Sequence, residues 1–424
     1  MGTPPADRPT AVEEGIVLRM VTWRRVVIGL VAASVLGIMA GAGPLSAQAE
    51  SLTPERALER LFVERPVQPD WFAPAFLAHV SAPQVQAIVD QLMGTLGRFE
   101  RVEREGASHV VVLERGLVPA QVTLDDQGRF MGLFFQAPRA RAAGDSSRSA
   151  VREAVAAFEE LPGRVSVVVV EDGQIREALA ADQPMAVGSA FKLAILAALA
   201  DQIRSGHRHW DDVVHLEPQW KSLPSGILQS WPDGAPLTLY SLAALMISVS
   251  DNTAADTLLH LVGRETVEAL APRNRPFLST REAFVLKAPQ NEALLARYRA
   301  GDEAERRALL PEIGKQPLPG VETFMGEPRA LDVEWFFTGT ELCALMERVR
   351  DLPLMGINPG VARPEDWTSV AFKGGSEPGV LNLTTALTAH DGRRLCVAAT
   401  WNDDKALDEM RFISLYSLLL DALK

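Results

Sequence analysis

The chain has 424 residues, 47% of them apolar and 23% charged, with a net charge of −12. Its length allows two or three domains with substantial cores. The acidic balance argues against a nucleic-acid partner and against a polyanionic cell-wall partner held by charge. Seven histidines are scattered without metal-ligand spacing, His207 and His209 flanking Arg208 in a polar turn, so no metal or other cofactor is expected.

Residues 1–49 are unlike the rest. Trp23-Arg24-Arg25 precedes an apolar run from Val26 to Ala42, followed by Ala47-Gln48-Ala49. A basic start, an apolar stretch and small residues at a cleavage point describe a secretory signal. Residues 1–19 make its leader long and partly acidic. Two variants are therefore open: Met20 as the translated start, or residues 26–42 as an uncleaved membrane anchor. The run is short for a spanning helix, which favours cleavage near Ala49 and a secreted or periplasmic protein.

From Glu50 to Gln136 the pattern predicts a small domain. Helical stretches at Thr53–Phe62, Trp71–His79 and Ala82–Leu96 precede four alternating segments, Arg98–Arg104, Ser108–Glu114, Val118–Leu124 and Phe130–Phe135. Asp125-Asp126-Gln127-Gly128 is a hairpin turn signal. Helices followed by an antiparallel meander suit a small α+β domain. It carries no catalytic acid pair, so a binding or structural role is expected. Residues 137–149 (APRARAAGDSSRS) read as a linker.

Three short motifs then follow in order. Ser189-Ala190-Phe191-Lys192 opens an apolar helix predicted over Ser189–Ser205. Residues three apart share a helix face, so Lys192 can lie beside Ser189. A lysine desolvated by apolar neighbours can take a serine's proton. The free N–H groups and positive end of the helix would point at whatever the serine attacks. By itself the motif is common, and an N-cap serine with a solvated lysine one turn on is the plainer explanation of it. Next, an apolar helix over Leu239–Val249 breaks at Ser250-Asp251-Asn252, and a second helix starts at Thr253. Such a polar loop can present side chains into a cleft, or merely cap helices, and Asp251 is expected to hold its turn. Gln290–Gly320 is helical, highly charged and reads as an insertion that caps a cleft or rides on the surface. Thr338–Val349 returns to helix. The third motif, Lys373-Gly374-Gly375, sits on a strand from Ser369, with a turn at Pro378-Gly379 and a second strand after it. An edge-strand lysine beside a hairpin is the plain alternative. A strand around Leu395–Trp401 and a helix over Asp404–Leu423 close the chain.

Together, in this order, the three motifs resemble the signature of class A β-lactamases and penicillin-binding proteins. The flanking phrases VSDNTAAD (249–256) and FKGGS (372–376) extend the likeness over Ala150–Lys424. The resemblance implies an α/β (α+β) fold, an antiparallel sheet flanked by helices plus an all-helical subdomain. It implies acylation of Ser189 with Lys192 as base or proton relay. Ser250 would pass a proton to the leaving group, and Asn252 would bind a substrate amide and steady Lys192. Lys373 would hold Ser250 and attract a substrate carboxylate. The backbone N–H groups of Ser189 and Ser376, with Gly375 allowing close approach, would form the oxyanion hole. The N-terminal domain is similar to cystatin-like or ketosteroid-isomerase-like domains found ahead of some β-lactamase-like proteins, a pairing met in clavulanic acid biosynthesis. Leu223-Pro-Ser-Gly and the stretch from Gly374 to Asn382 also fit that subgroup.

Two features depart from the family pattern. Gly374 stands where Thr or Ser is usual, which removes a hydroxyl for a substrate carboxylate, and Ser376 is its candidate substitute. No Glu-x-x-Leu-Asn segment follows Ser250. Glu282 is the best-placed acid for a deacylation base, against the plainer reading of a surface carboxylate paired with Arg281 or another cation. The expected activity is an extracytoplasmic serine acyl-hydrolase acting on a small ester, amide or β-lactam. A penicillin-binding or D,D-peptidase-like protein, and a non-catalytic binding module on the same fold, are the alternatives. Cys343 and Cys396 are the only cysteines; a disulfide and a pair of buried free thiols are both open.

Overall fold

The computed structural model describes residues 52–106, 108–136, 138–140 and 147–424. The signal or anchor expected over 1–49 and most of the linker lie outside the described residues. Contacts divide the chain into two units. The first runs up to Ala150 and includes Met410–Leu423; the second is Val151–Glu409 with Lys424. The sequence takes 150–424 as one domain; in this division Met410–Leu423 clusters with the N-terminal unit instead.

In the first unit, α1 (Pro54–Val63), α2 (Pro74–Leu77) and α3 (Ala82–Leu96) precede β1 (Phe99–Glu105), β2 (Ser108–Leu113), β3 (Gly116–Leu124) and β4 (Phe130–Phe135). Thr53 caps α1 by accepting from the Arg56 N–H, and Ser81 and Gln84 form a capping box on α3. The strands pair antiparallel in chain order. Leu58, Leu61, Val89 and Leu96 meet Val111, Leu113 and Phe130 in one core, helix on sheet as the alternation predicts. The β3–β4 hairpin turns at Asp125–Gly128, where Asp125 Oδ1 accepts from the Gln127 and Arg129 N–H groups. Part of the expected linker is strand: β5 (Arg139–Ala140) pairs with the start of β3.

α4 is Ser147–Ala156, and the second unit, which begins at Val151, is built on an antiparallel sheet. β6 is Arg164–Glu171, β7 Gln174–Leu179, and the short β8 is Met185–Ala186. β9 (Val213–His215) and β10 (Pro236–Thr238) form a separate ribbon. After β11 (Phe336–Phe337), which pairs with β8, come β12 (Ser369–Glu377), β13 (Val380–Thr388) and β14 (Arg394–Asn402). The main sheet has the order β12-β13-β14-β6-β7. β12 is therefore an edge strand, and it runs unbroken through the glycine pair to the turn at Pro378-Gly379.

The helices of this unit follow the apolar patterning. α5 (Lys192–Arg204) is buried from Lys192 to Ala200, as expected of a helix that is apolar all round. α6 (Leu239–Ser248), α7 (Asn252–Val262), α8 (Arg264–Leu270) and α9 (Thr280–Lys287) build a helical subdomain around it. The segment read as an insertion becomes α10 (Glu292–Ala300) and α11 (Glu303–Gly314). It is part of that subdomain: Leu294, Leu295, Tyr298, Leu309 and Ile313 enter the same core. α12 (Gly339–Val349) packs on α5 and the sheet, and a Cys343–Cys396 disulfide fastens it to β14. Of the two cysteine alternatives, the disulfide is the one formed. α13 (Glu409–Asp421) closes the chain; its Leu418 packs on the first unit's core, and its Ser417 Oγ donates to the Pro138 carbonyl at 2.8 Å.

Candidate active site

Ser189 sits one turn before α5, not on it. Gly188–Phe191 form a 3₁₀ turn that runs into the helix at Lys192; such turns are common at helix starts. The spacing of three still aligns the two side chains, and Lys192 Nζ donates to Ser189 Oγ at 3.1 Å. The turn is held from behind. The Phe191 ring stacks on Trp335 with centroids 3.9 Å apart, the Val187 N–H donates to the Trp335 carbonyl at 3.1 Å, and Trp335 Nε1 donates to the Leu278 carbonyl at 3.0 Å.

The loop between α6 and α7 supplies the second group. Ser250 adopts φ +57°, a left-handed conformation that costs free energy for a residue with a side chain. Its neighbours hold it there. The Ser250 carbonyl accepts from Lys192 Nζ at 2.7 Å and Ser225 Oγ at 2.6 Å. Asp251 is structural, as expected: it caps α7 through the Ala254 N–H at 2.8 Å, and Oδ2 accepts from the N–H groups of Ile227 and Leu228. Asn252 Oδ1 accepts from Lys192 Nζ at 2.6 Å, while Asn252 Nδ2 donates to the Leu223 carbonyl at 3.0 Å.

β12 brings the third group. Lys373 Nζ donates to Ser250 Oγ at 3.0 Å and to the Gly374 carbonyl. Lys192 Nζ reaches the same hydroxyl at 3.1 Å, so Ser250 Oγ lies between two lysines. Gly375 allows the strand to meet the nucleophile turn: a Cβ there would lie 2.1 Å from the Val187 carbonyl oxygen and 2.5 Å from Ser189 N. That close approach sets the Ser376 backbone beside Gly188 and flanks Ser189 with main chain.

Both lysines are enclosed, Lys192 with no exposed surface and Lys373 with 2%. Burial brings Lys192 down to about 7, only partly offset by the charges of Asp251 and Asp256. Burial, and then the charge of Lys192, holds Lys373 well below the usual lysine range. Near neutral pH the Lys192 amine thus has a substantial unprotonated fraction, able to accept a proton from Ser189.

Glu282, the candidate deacylation base, is committed elsewhere. It is 7% exposed. Its carboxylate takes both guanidinium nitrogens of Arg264, at 3.0 and 2.8 Å, and caps α9 by accepting the Ser279 N–H. The alternative of a carboxylate paired with another cation holds, with Arg264 as the cation, but the carboxylate is buried rather than on the surface and Arg281 is not its partner: Arg281 donates to the carbonyls of Lys221 and Gln316. Glu282 therefore clamps the α8–α9 connection. Among the described residues, the hydrogen-bond partners of Ser189 and Lys192 include no carboxylate.

Sequence reasoning missed Asp256 and Trp335. Asp256 accepts from the Thr280 N–H at 2.7 Å, Thr280 Oγ1 at 2.9 Å and the Arg281 N–H at 2.8 Å, tying α9 to the helix that carries Asn252. Its i, i+4 spacing from Asn252 was the available signal. Nothing local marked Trp335.

A model described as the beta-lactamase enzyme family matches residues 147–290. The comparison with curated proteins returned no match. Among solved structures, a beta-lactamase from Sphaerobacter thermophilus is 23% identical, with 65% of this chain and 96% of that chain covered and a TM-score of 0.46. A beta lactamase from Xanthomonas campestris pv. campestris is 15% identical, with 66% and 97% covered and a TM-score of 0.45. The structure of PBP-A is 15% identical, with 68% and 98% covered and a TM-score of 0.43. The chain is thus similar to the beta-lactamase enzyme family over the stretch that carries Ser189, Lys192, Ser250 and Asn252, on an α+β framework of antiparallel sheet and helical subdomain.

Proposed function

We propose that the second unit is a serine acyl-hydrolase that forms an acyl-enzyme at Ser189. The carrying observation is the continuous hydrogen-bonded cluster of Ser189, Lys192, Ser250, Asn252 and Lys373. Lys192, as the free amine, accepts the Ser189 proton while Oγ bonds to the substrate carbonyl carbon. The N–H groups of Ser189 and Ser376 receive the developing oxyanion. As the bond to the leaving oxygen or nitrogen breaks, Ser250 delivers a proton to it and is re-protonated from the lysine side. Asn252 fixes the Lys192 amine, and Lys373 orients the Ser250 hydroxyl. With the Glu282 carboxylate occupied by Arg264, water attack on the acyl-enzyme is the slow step. An ester or small amide substrate fits better than a rapidly hydrolysed β-lactam.

The disulfide supports an oxidising, extracytoplasmic location, reached through a signal cleaved near Ala49; N-terminal sequencing of the exported protein checks the cleavage. For the cystatin-like N-terminal unit, its helix-on-sheet build supports a binding or structural role.

The test is intact-mass spectrometry after incubation with a penicillin, a cephalosporin and a fluorophosphonate, beside S189A. Adducts on the wild type alone are expected, and they should persist. Rapid turnover of the cephalosporin would instead mean a β-lactamase with another water-activating group. No adduct from any probe would overturn the proposal in favour of a binding module.

A further inference from the structure

We infer that the ion pair between Lys287 and Glu377 positions one half of the oxyanion hole, an inference that rests on the reading of Ser189 as the acylated nucleophile. The two N–H donors of the hole come from separate segments, the turn Gly188–Phe191 and the edge strand β12. Both must converge on the point where the oxygen will sit, and a misplacement of about 1 Å can cost about a hundredfold in rate. An edge strand is tied to a neighbour along one side only, so its end needs another hold.

The two segments meet closely. A Cβ added to Gly188 would lie 3.1 Å from Ser376 N, and one added to Gly375 would lie 2.5 Å from Ser189 N. Glu377 follows Ser376 directly, and the register of β12 with β13 is unbroken there. Side chains alternate along a strand, so Glu377 shares a face with Lys373 and Gly375. That face is turned to Ser250 and the nucleophile turn. On it, Glu377 Oε1 accepts from Lys287 Nζ at 2.7 Å. Lys287 ends α9 and is 2% exposed. Its ammonium also binds the enclosed carboxylate of Glu334, and its carbonyl accepts from Arg329 Nε at 2.6 Å. A buried ammonium shared by two carboxylates has little freedom, because losing a partner leaves buried charge uncompensated.

The segment that carries Glu334 also reaches the other donor. Trp335, the next residue, stacks on Phe191 and accepts the Val187 N–H. Phe336 and Phe337 pair with Ala186 and Met185, just before the nucleophile turn. Pro328, at the far end of the segment, packs on the β12–β13 turn: a Cβ on Gly379 would lie 2.8 Å from Pro328 Cγ. Residues 328–337 thus brace both halves of the hole. The Ser189 half is held by stacking and backbone pairing, the Ser376 half through the charges of Glu334, Lys287 and Glu377. Glu377 and Lys287 are positioning residues that act through the Ser376 backbone.

The test follows phosphonylation of Ser189 by a fluorophosphonate across pH in the wild type, E377A and E377Q. In this reaction Ser189 Oγ bonds to phosphorus, fluoride leaves, Lys192 takes the serine proton, and the phosphonyl oxygen occupies the oxyanion position. E377A leaves the Lys287–Glu334 pair in place, and its Tm checks that it folds. Its maximal labelling rate should fall by about tenfold or more, with the concentration for half-maximal rate unchanged. E377Q, which keeps an acceptor for Lys287, should recover most of the loss. The pH midpoint of labelling, set by burial of Lys192 at about 7, should stay in place in both. A general loosening of the site would admit water to Lys192 and raise that midpoint. A raised midpoint, an effect carried by the half-maximal concentration, E377Q as slow as E377A, or E377A as fast as the wild type each overturns the inference while the wild type still labels. If the wild type itself is not labelled, the acyl-enzyme reading fails and the inference falls with it.

Discussion

Burial sets the protonation state of Lys192, and the rate should report it. The amine must be neutral to accept the Ser189 proton, and desolvation brings it to about 7. Acylation, read from fluorophosphonate labelling, should therefore rise with pH through about 7 and level off above. K192R, with a side chain that stays protonated, should lose acylation by on the order of a thousandfold. Asp256 titrates in the opposite sense. Burial raises it from 3.8 to about 7, against the hydrogen bonds from Arg281 and Thr280. The folded state then holds a proton between those values that the unfolded chain has released. Its contribution to stability is complete below about 3.8 and is lost as pH rises to about 7. Relative to D256N, the wild-type Tm should fall over that window; a constant difference would assign Asp256 no proton in the fold.

At the scale of elements, the site depends on three segments that meet only through packing. The disulfide ties α12, which backs α5, to β14, closing a separation of 53 residues. Chain-entropy reasoning gives such a cross-link about 4 kcal/mol, and measured values run about 2–4 kcal/mol. The double variant C343A/C396A should lose about that much in urea unfolding, with a larger m-value as the denatured state, freed of the cross-link, expands. Trp335 belongs to this scale too. Its ring lies against Phe191 and its carbonyl holds Val187, so it supports the nucleophile turn from a segment nearly 150 residues away in the chain. W335A should cost about 3–5 kcal/mol as a large-to-small core change and slow labelling of Ser189.

For the whole molecule, the division into units assigns the C-terminal helix to the N-terminal unit. Ser417 binds the Pro138 carbonyl, and Leu418 packs on that unit's core. Deleting residues 410–424 should therefore speed amide hydrogen exchange in β3 and β5, the strands beside that contact. Unchanged exchange there would mean the helix adds nothing to the unit's stability.

The sequence by itself located much of the element pattern and the Ser189, Lys192, Ser250, Asn252 and Lys373 cluster that the fold brings together. Period-3.6 and period-2 patterns located the N-terminal elements, α5, α6, α7, α12 and the strands around the third motif, but not β6, β7, α4, α8 or α9. Ser189 and Lys192, three residues apart, needed only local helical spacing to meet. Asp251 was legible as a cap because Asp before a helix is a local signal. The fate of Glu282 was not legible: whether a carboxylate faces the cleft or clamps Arg264 depends on how α8 and α9 pack, which no local pattern encodes. The same holds for the Cys343–Cys396 bond and for Lys287 between Glu334 and Glu377. Each joins residues far apart in the chain, so only the tertiary structure decided it. Local propensity acts over a turn or a strand pair, whereas burial, charge pairing and steric fit are set by neighbours that folding alone brings together.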